Sequence, residues 1–169
     1  MDLGSIFISG AALIISAFSF YFSIKSWRES NRPLITARVS THSGGNVGSA
    51  LDLIVENTGN RPARNIRLIV DPEKLNAALL PNAHEQLKKQ IENCFSDRGV
   101  IPVLANGRSV SNSFGFLSRG SEQEDWVRHS SFNISISYED LDGRKYKHEV
   151  PLLIADDKGF AGGFWSGEK

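Results

Sequence analysis

Few residues in this chain could carry chemistry: His42, His84, His129 and His148, the single cysteine Cys94, and arginines gathered around NTGNRPARN. Zinc needs histidine or cysteine ligands at short repeated spacings, and no two of these residues stand at one. His148 falls on the inward register of an expected strand, which points to a buried or edge histidine rather than a ligand. Cys94 sits beside Phe95 on a helical pattern and reads as a small buried side chain, not a thiolate nucleophile. The segment DLDG at 140–143 opens like a calcium loop, but its glycine arrives early and no glutamate closes it. A hairpin turn is therefore expected there. Arg61 and Arg64, with Arg67 nearby, could hold an anion at a turn; the plainer reading is solvated charge at a strand end. No catalytic, cofactor or metal constellation emerges, so a non-enzymatic protein is expected.

The elements that must position these residues follow from the pattern of the chain. Its 169 residues carry 19 basic and 19 acidic side chains, and this neutrality gives no electrostatic case for nucleic acid. One cysteine cannot form an internal disulfide, which favours a reducing compartment or indifference to redox. Residues 3–27 predict a transmembrane helix: the uncharged run from Leu3 to Ile24 would rise about 33 Å, enough to cross a hydrocarbon core. A cleaved leader fits less well, since Asp2 stands where a base is expected and no small-x-small cleavage site follows. Lys25, Arg28 and Arg32 follow the run, so the positive-inside rule predicts a single-pass protein with its N-terminus out and its C-terminal domain cytoplasmic. Residues 28–33 are expected to form a tight juxtamembrane linker, ended by Pro33.

Within the span, Ser5, Ser9, Ala12, Ser16, Ser19, Ser23 and Ser26 recur at alternating steps of four and three. On a helix these small residues draw one stripe, a candidate packing seam for a second copy or another membrane protein. The rival reading has each hydroxyl bonding to its own preceding turn.

Beyond residue 33, period-two alternation predicts strands through Ile35, Ala37 and Val39, through Leu51, Leu53 and Val55, and through Ile66, Leu68 and Val70. FNISISY alternates cleanly and leads through Asp142-Gly143 into Tyr146, His148, Val150, Leu152 and Ile154, a hairpin. Another strand is expected near 110–116. A helical insertion over 72–96 opens at Asp71-Pro72, breaks at Pro81 and restarts at Asn82, with Glu85 completing an apparent capping box. Ala83, Leu87, Ile91 and Phe95 form its apolar stripe, suited to lidding a sheet edge. Residues 156–169 are a glycine and aromatic tail in which Phe160, Phe164 and Trp165 either fold back on the sandwich or present aromatic anchors to a partner or the nearby bilayer surface.

ENTGNRPARNIRLIVD, IPVLANGRSVSNSFGF and FNISISYEDLDGRKYKHEV together resemble bacterial immunoglobulin-like domains of the cell-adhesion-related type. Asn57, Gly59, Pro62, Ala63 and Asn65 match one element of that pattern, and Leu104 and Gly107 a second. The closer likeness is to uncharacterised bacterial single-span membrane proteins carrying one such domain. The resemblance implies an immunoglobulin-like antiparallel β-sandwich over 34–155 and no activity. The expected function is a membrane-anchored binding or scaffold subunit with a protein partner or homo-oligomer and no nucleic acid. A membrane-tethered ligand sensor and an exported, envelope-facing binding domain stand as alternatives.

Overall fold

The computed structural model describes residues 3–44, 48–118 and 124–155. The chain divides between Arg32 and Pro33 into two units. The first is a single helix, α1 (Leu3–Ser30). Its stretch Phe7–Ser30, 24 residues, is long and apolar enough to span a membrane, and none of it is buried. Phe7, Ile8, Leu13 and Tyr21 are exposed and, at 3.6 residues per turn, stand on different sides of the helix. The helix continues through Ser30, so the expected 28–33 linker is helical over its first half. Proline stops a helix only where its own ring intrudes; here the turn is closed earlier, where the Asn31 backbone N–H and side-chain Nδ2 both donate to the Trp27 carbonyl at 2.9 Å.

In the second unit, alternation becomes two antiparallel sheets. The strands are β1 (Ile35–Gly44), β2 (Gly48–Asn57), β3 (Ala63–Val70), β4 (Ile101–Leu104), β5 (Ser109–Ser118), β6 (Ser131–Glu139) and β7 (Lys145–Leu153). One sheet runs β1-β2-β5 and the other β4-β3-β6-β7. The inward residues Ile35, Val39, Leu53, Ile66, Ile134 and Leu152 belong to one apolar cluster, each contributing about 1.5–3 kcal/mol by leaving water. Trp126, fully buried, stacks on Phe114 at 4.7 Å and Phe132 at 6.1 Å, and its Nε1–H donates to the Phe114 carbonyl. The strand expected near 110–116 is β5, and the hairpin expected around Asp142-Gly143 joins β6 to β7, with Glu139 opposite Lys145. Asp140 Oδ1 accepts the N–H groups of Asp142 and Arg144 inside that turn, and Gly143 takes the positive φ of 82°.

The NTG segment proves to be a fastening. Asn57 is 1% exposed. Its Nδ2 donates to the carbonyls of Arg61 (2.8 Å) and Leu104 (3.1 Å), while its Oδ1 accepts from Leu34 N (3.3 Å) and Gly59 N (3.0 Å). Its backbone N–H reaches the Arg108 carbonyl, and its own carbonyl accepts from Gly107. One side chain thereby joins the head of β1, the β2–β3 turn and the end of β4.

The insertion forms α2 (Pro72–Ala78) and α3 (Glu85–Cys94). Asp71 caps α2 through Oδ1 to Glu73 N (3.1 Å). The expected capping box at Asn82 does not form: α3 begins three residues later, with His84 at the N-cap making no side-chain cap bond. The reason lies just upstream, where the turn after Pro81 is closed by Ala83 N to Leu80 O at 3.0 Å and holds Asn82 outside the helix. The apolar stripe packs as expected: Ala83 and Ile91 are buried, and Leu87 and Phe95 lie against the core.

Candidate functional site: the cleft between β4 and β5

The sandwich edges differ. On the β1/β7 side the two sheets are tied together, with Tyr138 Oη donating to Pro33 O at 3.2 Å and His148 Nε2–H donating to Ile35 O at 2.8 Å. On the other side, between the edge strands β4 and β5, a cleft of about 530 Å³ opens. Leu53, Val55 and Leu68 form its apolar floor, Val110 and Asn112 of β5 one wall, and Ile101 and Pro102 of β4 another. The C-terminal turn of α3 and the loop after it complete the rim with Asn93, Cys94 and Arg98. That loop turns tightly: a Cβ on Gly99 would meet Asn93 O at 2.5 Å and Cys94 O at 2.7 Å, so only glycine fits the approach.

An amide and a thiol meet at the wall of this cleft. Asn112 Nδ2 donates to Cys94 Sγ at 3.1 Å, and the thiol in turn faces the Gln90 carbonyl at 3.4 Å. Burial pushes the Cys94 thiol above its ordinary range, which keeps it protonated and poorly nucleophilic. Among the described residues, Arg98 is exposed and has no ion-pair partner, and none that line the cleft is acidic. An apolar pocket with a few polar groups at its rim is the usual form of a ligand or peptide site.

The residues singled out from sequence lie elsewhere. Arg61 is in the β2–β3 turn, and its guanidinium is held by Asp142 at 2.7 Å, a hydrogen bond that raises its pKa. Arg64 stands in β3 opposite Val103 and Glu139, with Nε buried and without a hydrogen-bond partner. Arg67 pairs with Asp97 at 2.8 Å. Asp142 thus already occupies Arg61, and Asp97 occupies Arg67. Tyr146 Oη donates to Asp140 Oδ2 at 3.0 Å, and its phenol is raised in pKa first by burial and then by this bond. Among the described residues no group of three or more potential ligands could hold a metal.

Along α1, Ser9, Ala12, Ser16, Ser19, Ser23 and Ser26 are exposed. With 3.6 residues per turn, the stripe that also includes Ser5 covers about 100° of arc. Ser16 Oγ donates to Ala12 O at 2.8 Å, so this hydroxyl is satisfied within its own helix. The tail residues Phe160, Phe164 and Trp165 lie outside the described residues.

The cleft is not legible in the sequence because it lies between β4 and β5, which are edge strands of different sheets. Its one sequence signal is SVSNS, a strand segment lacking both charge and proline.

Compared with known proteins, residues 3–156 match one family model, DUF8453, described as a domain of unknown function. No curated protein and no solved structure matches the chain.

Proposed function

Since the chain belongs to DUF8453, whose family model takes in both the helix and the β unit, we propose that it is a single-span membrane protein that acts by binding. Its β unit is an immunoglobulin-like sandwich presented on the cytoplasmic side of a bacterial inner membrane, as a non-enzymatic accessory or scaffold subunit of a larger complex. The observation that carries this reading is α1: an apolar helix of spanning length, exposed on every face, covalently continuous with a β domain. The strand order β1-β2-β5 against β4-β3-β6-β7, with both sheets antiparallel, supports the immunoglobulin-like assignment. The bases Lys25, Arg28 and Arg32 after the span support the orientation.

The small-residue stripe supplies the surface by which the span would associate, through close backbone approach and interhelical hydroxyl bonds of about 0.6 kcal/mol each. A ligand sensor built on Arg61 and Arg64 has weaker support, because Asp142 holds the Arg61 guanidinium. An envelope-facing domain requires the opposite orientation. The test is photocrosslinking in intact cells from an unnatural residue at Ser16 and from another at Trp165. A discrete heterologous adduct is expected; absence of any adduct from either position would overturn the proposal.

A further inference from the structure

Each of the four sheet edges faces the problem of unpaired backbone N–H and C=O groups. At β7 the edge strand carries Lys145, Lys147 and Glu149, with Pro151 near its end. β4 is only four residues long and contains Pro102. β1 is covered where His148 takes the Ile35 carbonyl and Tyr138 the Pro33 carbonyl, and further along it is broken by a register shift between Thr41 and Ser43. These are the devices by which edges are kept from pairing. β5 has one of them at its far end: Gly115, at φ 99°, lies in a register shift that bends the strand. Ser109–Ser113 has no charge, proline or register shift, and α3 meets it at Asn112, whose Nδ2 donates to Cys94 Sγ. These five residues are exposed, uncharged and free of proline, and among the described residues only β2 pairs with them.

The unblocked edge runs along the cleft. Val110 and Asn112 lie opposite Val55 and Leu53 in the register, and all four residues line the cavity. A strand laid beside β5 would extend the three-stranded sheet by main-chain hydrogen bonds and send every second side chain into an apolar hollow of about 530 Å³. The charge at the rim selects among strands. Arg98 lines the cleft and Arg108 precedes β5; neither has an ion-pair partner among the described residues. A second copy pairing β5 with β5 would bring the same unpaired bases and no carboxylate.

Resting on the reading of the protein as a binding module, we infer that Ser109–Ser113 of β5 accepts an extended segment of another polypeptide. That segment alternates apolar with small polar residues and carries an acidic residue that meets Arg98. Main-chain bonds to β5 supply the attachment, the cleft selects the apolar side chains, and Arg98 fixes direction and register.

The test uses the full chain in detergent micelles and a panel of acetylated hexapeptides, alternating valine, isoleucine or phenylalanine with threonine and ending in glutamate or lysine. Glutamate-ended peptides are expected to bind more tightly, and their binding should protect alternate amides within 109–113 from hydrogen exchange. Arg98→Glu, at an exposed position, should weaken the glutamate series by about three- to tenfold and favour the lysine series. Val110→Trp should block both. Failure of every peptide to bind, or binding indifferent to Arg98→Glu, overturns the inference. So does decanoate binding without amide protection, which would assign the cleft to a small apolar anion. Protection of the same amides in the chain alone, rising with its concentration, would give the edge to a second copy and also overturn it. If these fail while Ser16 or Trp165 still yields a heterologous adduct, the binding module stands and only its edge is wrong; with no adduct, both fall.

Discussion

Replacing Asn57 by alanine should cost more than any other single polar substitution in the domain. Nδ2 and Oδ1 make hydrogen bonds to Arg61 O, Leu104 O, Leu34 N and Gly59 N. The bond to Leu104 O is fully buried, so its orphaned carbonyl costs about 1–3 kcal/mol. The other three are partly buried, where water can replace some of what is lost, and contribute about 0.5–1 kcal/mol each. The sum is about 2.5–6 kcal/mol, a large share of the stability of a domain this size. At about 3–5 °C per kcal/mol, Tm falls by roughly 8–30 °C. Asn57→Asp is the sharper variant, since it keeps shape and both acceptor contacts but turns a carboxylate oxygen toward two carbonyls. Burial and that repulsion raise the new carboxyl's folded pKa above its unfolded value. Its stability is therefore greatest below the unfolded pKa and is lost as pH rises through the folded one, so N57D should melt lower at pH 7 than at pH 4. Thermal melting of the full chain in micelles, followed by β-sheet circular dichroism, reads both variants. A Tm change under about 3 °C for Asn57→Ala, or no pH dependence in N57D beyond that of the parent, would refute the fastening role.

Gly115→Ala should destabilise by about 2–4 kcal/mol, because the added Cβ stands 2.7 Å from Trp126 Nε1 at φ 99°; Gly107→Ala, with φ 67° and open space, should cost only about 1 kcal/mol. Equal losses in denaturant melts would contradict the packing around Trp126. The Cys94 thiol, raised by burial, should react slowly with iodoacetamide in the native chain and rapidly once unfolded. Cys94 and Tyr146 are both raised, so each favours folding below its ordinary pKa and loses that contribution as pH climbs through the folded value. Stability should accordingly decline above about pH 8.5, and Cys94→Ala should flatten the first part of the decline. Leucine at Ser9, Ser16 and Ser23 together should leave insertion intact and abolish crosslinking through the span; undiminished crosslinking would remove the stripe as a packing surface.

Much of the fold was legible because alternation is a local property. The buried positions Phe132, Ile134, Ile136 and Tyr138 of β6 could be read from a seven-residue stretch, as could the stripe Ala83, Leu87, Ile91 and Phe95. Boundaries set by neighbours were less legible. Asn82 with Glu85 satisfies the capping pattern, but the turn fixed by Leu80 keeps Asn82 out of the helix. The helix end at Ser30 depends on a cap by Asn31 that Pro33 concealed. Asn57 was noticed as turn chemistry, yet its bonds to Leu34 and Leu104 span long stretches of sequence and are set by the tertiary fold. The cleft was least legible of all, since a gap between two edge strands follows from which strands pair, and Arg98 and Asn112 meet it from separate parts of the chain.

The proposed span and the cytoplasmic placement of the β domain are both tested by protease access to a C-terminal tag in bacterial spheroplasts, with carbonate extraction of the same membranes. The tag is expected to stay in the extracted membrane and to resist protease until the membrane is opened by detergent. A tag digested in intact spheroplasts would reverse the orientation, and one released into the soluble fraction would contradict the anchor itself.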